Sequence, residues 1–166
     1  MTVMEAILAR KSVRRYLPQD VEAEKLEKIL EAGRLAPSAR NAQNWHFTVV
    51  RDATLRSRLA DACCGQTFVS QAPVVLVLSA QGLNRMTCGQ MRETVDCSIA
   101  LSFMMLEAAD LGLGTCWLGA FHADEVKSLL QLPEQDTVIA VSPLGYPAVT
   151  EPPKPRKEID EIVLYR

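Results

Sequence analysis

The sequence predicts an α+β fold built as one domain. Three observations carry this. Stretches of strand and helix character are mixed along the chain without a regular βαβ rhythm. One run, PVVLVLSA at 73–80, is apolar on both faces and reads as a central strand. Another, VDCSIALSFMMLEAA at 95–109, is apolar except at Asp96, Ser98, Ser102 and Glu107, and reads as a helix buried nearly all round. A length of 166 residues fits a single domain spanning 1–166, able to bury roughly 70% of its unfolded surface.

The elements follow in order. Residues 3–10 form a short helix with Met4, Ile7 and Leu8 on one side. Over 22–35 the apolar positions Leu26, Ile29, Leu30 and Gly33 repeat with a 3.6-residue period, and Pro37 stops the helix soon after. HFTVVR at 46–51 has strand composition. Asp52 caps a helix over 53–63 with Leu55 and Leu59 inward. An irregular stretch, 81–91, separates the central strand from the apolar helix. That helix ends in LGLG, where Gly112 and Gly114 suit left-handed caps. Asp124 caps a helix at 125–132, and TVIAVSPLG at 137–145 is a further strand. PPKPRK at 152–157 is extended because its prolines forbid a helix, and IDEIVLYR alternates like a strand. No repeat and no domain boundary is visible.

Composition excludes several classes. Hydrophobic residues make up 48% and charged residues 23%, as in soluble globular proteins. A net charge of −2 argues against a nucleic-acid partner, which calls for a basic face. The apolar run in MTVMEAILARK is too short for a signal peptide, and none reaches a membrane span, so the expected setting is cytoplasmic. Five cysteines, Cys63, Cys64, Cys88, Cys97 and Cys116, show no CxxC spacing. They read as small hydrophobes in a reduced compartment. His46 and His122 alone make a poor metal site, so no metal is expected.

Against this slightly acidic background, RKSVRRY at 10–16 gathers Arg10, Lys11, Arg14 and Arg15 around Ser12. Taken alone it is a solvated helix end, where each cation contributes about 0.3–1 kcal/mol against the helix dipole. A second basic cluster, Lys154, Arg156 and Lys157, sits on the stiff proline-rich arm. Arginine forks and a short serine hydroxyl suit a phosphate. No Walker motif and no GxGxxG is present, so this would not be a P-loop or Rossmann site. LAPSARNAQNW at 35–45 is a loop whose Ser38, Asn41 and Gln43 offer polar groups of the kind that grip a heterocycle.

Five stretches in one order, RKSVRRY, ILEAGRLAPSARNAQNW, GLGTCWLGAF, GYP and KPRKEIDEIV, span nearly the whole chain. Together they make it resemble a small member of the nitroreductase family of FMN-dependent flavoenzymes. The resemblance implies a central, mostly antiparallel sheet flanked by helices, in an entwined homodimer. It implies that Arg10 and Ser12, with Lys11 in the same cluster, hold the FMN phosphate and ribityl end, and that Arg14 lies near the pyrimidine edge. Pro37, Ser38 and Asn41 match a loop reaching the partner's flavin. Trp117, Leu118 and Gly119 match a segment facing the ring near N5, and Gln66 falls near the pyrimidine edge. Arg156, and with it Lys154, matches a phosphate cation from the C-terminal arm.

The implied activity is an oxidoreductase passing hydride from NAD(P)H through flavin N5 to nitroaromatic, quinone or similar acceptors by ping-pong kinetics, with no general acid or base named. The alternatives are a specialised dehydrogenase, a dehalogenase or flavin-fragmenting relative, an FMN carrier or sensor, and a flavin-free domain that binds acidic partners. Three positions depart from the family pattern. Asn44 stands where Pro usually precedes the Trp, Val149 stands where Glu often follows Gly-Tyr-Pro-Ala, and 81–91 is shorter than the helical excursion many relatives carry.

Overall fold

An unbroken apolar strand is stable in water only if both of its faces are covered, and the computed structural model shows how this is done. It describes residues 1–149, 152 and 154–166. The chain runs α1 (Val3–Ala9), α2 (Ala23–Arg34), β1 (Trp45–Val50), α3 (Ala53–Ala62), α4 (Phe68–Gln71), β2 (Val74–Gln81), α5 (Arg92–Asp110), β3 (Gly114–Thr115), α6 (Ala123–Leu129) and β4 (Asp136–Gly145). The sheet order is β1-β2-β4-β3 and every pairing is antiparallel. This is the α+β architecture, with the antiparallel sheet and flanking helices, that the sequence predicts.

Side chains alternate along β2, so one strand feeds two cores. Val74, Leu76, Leu78 and Ala80 pack with Leu26 and Ile29 of α2 and with Leu101, Met104 and Ala108 of α5. Val75 and Val77 pack on the other face with Leu59 of α3, Val69 of α4 and Val126 of α6. Each large side chain fully buried in this way stabilises the fold by about 1.5–3 kcal/mol. The helices of the first face come very close. A Cβ on Gly33 would lie 2.1 Å from Met104 Cε, so glycine here sets the approach of α2 to α5.

Several elements differ from the sequence reading. α5 begins at Arg92, and one side of it, with Thr94, Ser102 and Phe103, is exposed, so it is not buried all round. Gly112 is left-handed (φ 75°) as expected for a cap, but Gly114 is a strand residue. α6 is capped at His122 rather than Asp124, which lies in its first turn. The final stretch forms a 3-10 turn over Ile159–Glu161, not a strand. Its apolar residues find no facing strand within the chain among the described residues. α4 and the two-residue β3 are too short to leave a periodic signal. Asp52 caps α3 as expected, accepting from Leu55 N at 2.8 Å.

Of the cysteines, Cys63, Cys97 and Cys116 are buried, while Cys64 and Cys88 are exposed. Burial pushes the Cys63 thiol up to about 11 and the Cys97 thiol up to about 12. His46 is exposed at the start of β1, its Nδ1 lying 2.7 Å from the buried Asp136 carboxylate, which also accepts from Ser79 Oγ at 2.8 Å. Among the described residues no group of three or more His, Cys, Asp or Glu is placed to hold a metal, and no helix is long and apolar enough to cross a membrane.

Candidate functional site

The basic stretch turns extended as soon as α1 ends. Arg10 is the C-cap, with φ −60° and ψ 123°, and its N–H still bonds Ala6 O at 2.9 Å. Beyond it the chain joins the sheet's far edge. Val13 N donates to Thr115 O at 2.8 Å, Ala148 N to Arg15 O at 2.9 Å and Leu17 N to Tyr146 O at 2.9 Å. Two side chains lock the segment. A Cβ on Gly114 would lie 2.5 Å from Val13 Cγ2, so only glycine allows that approach. Tyr16 is buried and its hydroxyl donates to Val13 O at 2.8 Å; burial drives its phenol pKa upward. With Val13 and Tyr16 anchoring the strand, Ser12, Arg14 and Arg15 are exposed.

Several of these groups act on one buried thiol, Cys116. Burial raises the Cys116 pKa, while Arg14, a hydrogen bond with Ser12, and the charges of Arg10 and Lys154 pull it back. The basic stretch lies along β3 through Ser12 and Val13, and the charge of Lys154 on the arm is felt at the same thiol. The ion pairs formed among the described residues do not involve Arg10, Arg14 or Lys154. Positive charge from Arg10, Arg14 and Lys154, held near a short hydroxyl and outside the ion pairs of the described residues, fits an anion such as a phosphate. Lys11 is half-buried beside Arg10, and Arg156 is exposed two positions beyond Lys154.

Residues 117–119 leave β3 next to this cluster. Leu118 is buried, and both of its backbone polar groups pair with Val141, its N–H at 2.9 Å. That fixes the segment and leaves its neighbours Trp117 and Gly119 exposed. The Trp117 ring covers Gly119 so closely that a Cβ there would lie 3.0 Å from it. Gln66 reaches the same turn, its Nε2 donating to Cys63 O at 2.8 Å and to Ala120 O at 3.1 Å.

The loop after α2 is strained. Arg40, Asn41 and Gln43 adopt φ of 57°, 54° and 50°, a left-handed region that costs a non-glycine residue on the order of 1 kcal/mol or more. Gln43 N donates to Ser38 Oγ at 3.1 Å and Asn41 N to Ser38 O at 2.9 Å, which gives Ser38 a structural task inside the loop. Pro37 and Asn41 are exposed. The loop's ties outside itself run to α5 and β2, not to the basic stretch: Ala39 N donates to the Asp96 carboxylate at 3.1 Å, and Gln81 N donates to Asn44 O at 3.2 Å. The Asn44 amide, oriented to satisfy both its ends, donates to Ala42 O and accepts from Arg92 Nη2, each at 2.9 Å.

Sequence reasoning passed over the first turns of α5. Glu93 is buried, and its carboxylate accepts from Asn84 N and Asn84 Nδ2, both at 2.7 Å, and from Arg92 Nη2 at 2.6 Å. These bonds hold the 82–91 hairpin on the helix. The detectable signal is a pair of acids, Glu93 and Asp96, at the mouth of an otherwise apolar helix. Burial alone would raise the Glu93 carboxyl; the Asn84 and Arg92 hydrogen bonds outweigh it and hold it at about 2. A carboxyl whose folded pKa is depressed contributes stability above its ordinary value, lost as pH falls toward the folded one. Wild type should therefore lose on the order of 3 kcal/mol more than Glu93→Gln between about pH 5 and pH 2. Urea denaturation across that range checks this, and equal losses would refute it.

The family model described as "Nitroreductase family" matches residues 7–73 and 63–146. The chain belongs to the nitroreductase family. A provisionally named NADH dehydrogenase/NAD(P)H nitroreductase of Archaeoglobus fulgidus is 36% identical over 149 residues, covering 87% of this chain and 84% of the relative. The FMN reductase [NAD(P)H] of Bacillus subtilis is 30% identical over 176 residues, covering 93% of this chain and 69% of the relative. Among solved structures, the NADPH:FMN oxidoreductase of Vibrio harveyi complexed with NAD+ superposes with a TM-score of 0.89 at 28% identity, covering 98% of this chain and 76% of that one. As a nitroreductase-family protein, the chain is an oxidoreductase.

Proposed function

We propose that this nitroreductase-family protein binds FMN and uses NAD(P)H to reduce nitroaromatic, quinone or similar small acceptors, working as a homodimer. The observation that carries the reading is the shared action of Arg10, Ser12, Arg14 and Lys154 on Cys116, with no ion pair among the described residues that engages these cations. That donor set fits the phosphate end of FMN. When bound, FMN supplies the hydride chemistry. The chain's own residues do the rest. Arg10, Ser12, Lys154 and Arg156 bind the phosphate, with Lys11 adding to the positive field. Arg14, set apart from Arg10 along the extended strand, favours whichever redox state carries more negative charge. Trp117 and Gly119, exposed on either side of the buried Leu118, would face the ring, and Gln66 steadies that turn. Pro37, Ser38 and Asn41 serve the partner's site.

Exposed apolar surface supports the homodimer. Of α1 only Ala6 is buried, while Val3 is 75% and Leu8 68% exposed, with Phe103 exposed on the neighbouring α5. On the arm, Ile159, Ile162, Leu164 and Tyr165 are all exposed. Apolar groups so displayed on both an end helix and an extended arm call for a covering chain.

One spectrum tests the cofactor. Purified protein should carry a visible flavin band that bleaches on adding NADH or NADPH without oxygen. A colourless protein that stays colourless with added FMN would defeat the proposal, and flavin that neither nucleotide bleaches would mark a carrier or sensor. A further expectation concerns Arg14. Its replacement by Ala should lower the flavin potential by on the order of 30 mV at saturating FMN, since a nearby cation is lost. A dye-coupled redox titration reads this, and an unchanged potential would return Arg14 to a surface charge.

A further inference from the structure

The strained loop keeps its internal shape by its own hydrogen bonds, but those bonds do not orient it on the body of the protein. Ser38 and Ala39 accept from Asn41, Ala42 and Gln43, which closes the turn on itself. Two side-chain ties reach outside and bracket the left-handed residues, Ala39 N to the Asp96 carboxylate on one side and the Asn44 amide to Arg92 on the other, while the Asn44 backbone carbonyl also accepts from Gln81 N of β2 at 3.2 Å. Both side-chain ties land on the first turns of α5, whose next turns carry the buried Ala100, Leu101 and Met104 and cannot shift easily. Asp96 is only 5% exposed and, with Glu93, is one of two buried carboxylates on a helix whose buried face is otherwise apolar. A buried carboxylate is costly to keep unless its charge is used, and here it is aimed at a backbone N–H at the loop's entry.

We propose that Asp96 is a positioning residue for the flavin site of the partner subunit. It touches no flavin itself. It holds Ala39–Gln43 in a conformation that leaves Asn41 exposed, with Asn44 and Arg92 securing the far end. The role rests on the reading given above, that this loop serves the partner's FMN. Asn44 then has a purpose: where a proline would stiffen the loop through its ring, this chain stiffens it through a bond to Arg92, which in turn is held by Glu93. The loop and the 82–91 hairpin, through Glu93 and Asn84, share a single frame.

Two readouts separate the anchor from its purpose. Hydrogen exchange on the dimer without flavin should show the amides of 39–43 exchanging at least tenfold faster in Asp96→Ala than in wild type, with β2 and β4 unchanged. FMN affinity, by fluorescence quenching, should fall about tenfold in the same variant. Asp96→Asn, which keeps an acceptor oxygen, should restore both. If Asp96→Ala does not fold, Asn44→Ala, at a partly exposed position, should show the same two changes at several-fold size. Unaltered exchange at 39–43 overturns the anchor. Faster exchange with unaltered FMN affinity overturns the positioning role. Wild-type protein that takes up no FMN defeats the function proposed above and this role with it, and is told apart from failure of the anchor because exchange is read without flavin.

Discussion

Replacing Arg10 by Ala lowers FMN affinity by about 10- to 100-fold. The guanidinium leaves the backbone at the C-cap of α1, where the N–H bond to Ala6 O fixes its starting point, and it is half-buried rather than free in water. A hydrogen bond to a charged group is worth about 1.5–3 kcal/mol, and each 1.4 kcal/mol is about tenfold in affinity. Fluorescence titration of the flavin measures the change. Arg10 also sits at a helix C-terminus, where a cation contributes about 0.3–1 kcal/mol to folding alone. The melting temperature of flavin-free protein separates the two effects: a small shift there with a large loss of affinity assigns Arg10 to the ligand. Arg156→Ala should weaken binding in the same direction. Wild-type affinity in both variants would remove the phosphate assignment.

Removing residues 151–166 releases monomers and flavin together. The truncation takes away Lys154 and Arg156 and, with them, Ile159, Ile162, Leu164 and Tyr165, whose side chains find little cover on their own chain. If the arm merely supplied cations, loss of flavin would leave the dimer intact. If it merely clasped the partner, monomers would form that retain flavin. The proposed arrangement couples the two, because the arm both covers a second chain and completes the anion site. Light scattering with absorbance detection reads mass and flavin in one run. Wild-type protein of about 18.3 kDa in solution with flavin still bound would contradict the dimer.

The elements with strong periods or long apolar runs were the ones legible in advance. Leu26, Ile29 and Gly33 marked α2 because one face meets a core, and Val74–Ala80 marked the central strand because both faces do. The tail misled because the alternation read in IDEIVLYR makes a strand only if a sheet is there to receive it. For the site, clustered charge singled out Arg10, Lys11, Arg14 and Arg15 around Ser12, and Lys154, Arg156 and Lys157 on the arm, since such clusters are unusual on an acidic chain. What it could not give was the shared action of Arg10, Ser12, Arg14 and Lys154 on Cys116, which depends on β3 pairing with both Val13 and β4. The Asp96, Asn44 and Arg92 ties were invisible for another reason. A carboxylate bonding a backbone amide far along the chain leaves no spacing rule behind.

The segment that carries the cations is held by pairings of long sequence separation. Ser12–Tyr16 finds its hydrogen-bond partners at Thr115 and the Tyr146–Ala148 turn, more than a hundred residues downstream. Contacts of that kind require a large loop to close before they form, so they come together late in folding. A ligand that binds only the assembled segment would therefore add its stabilisation to the folded state alone.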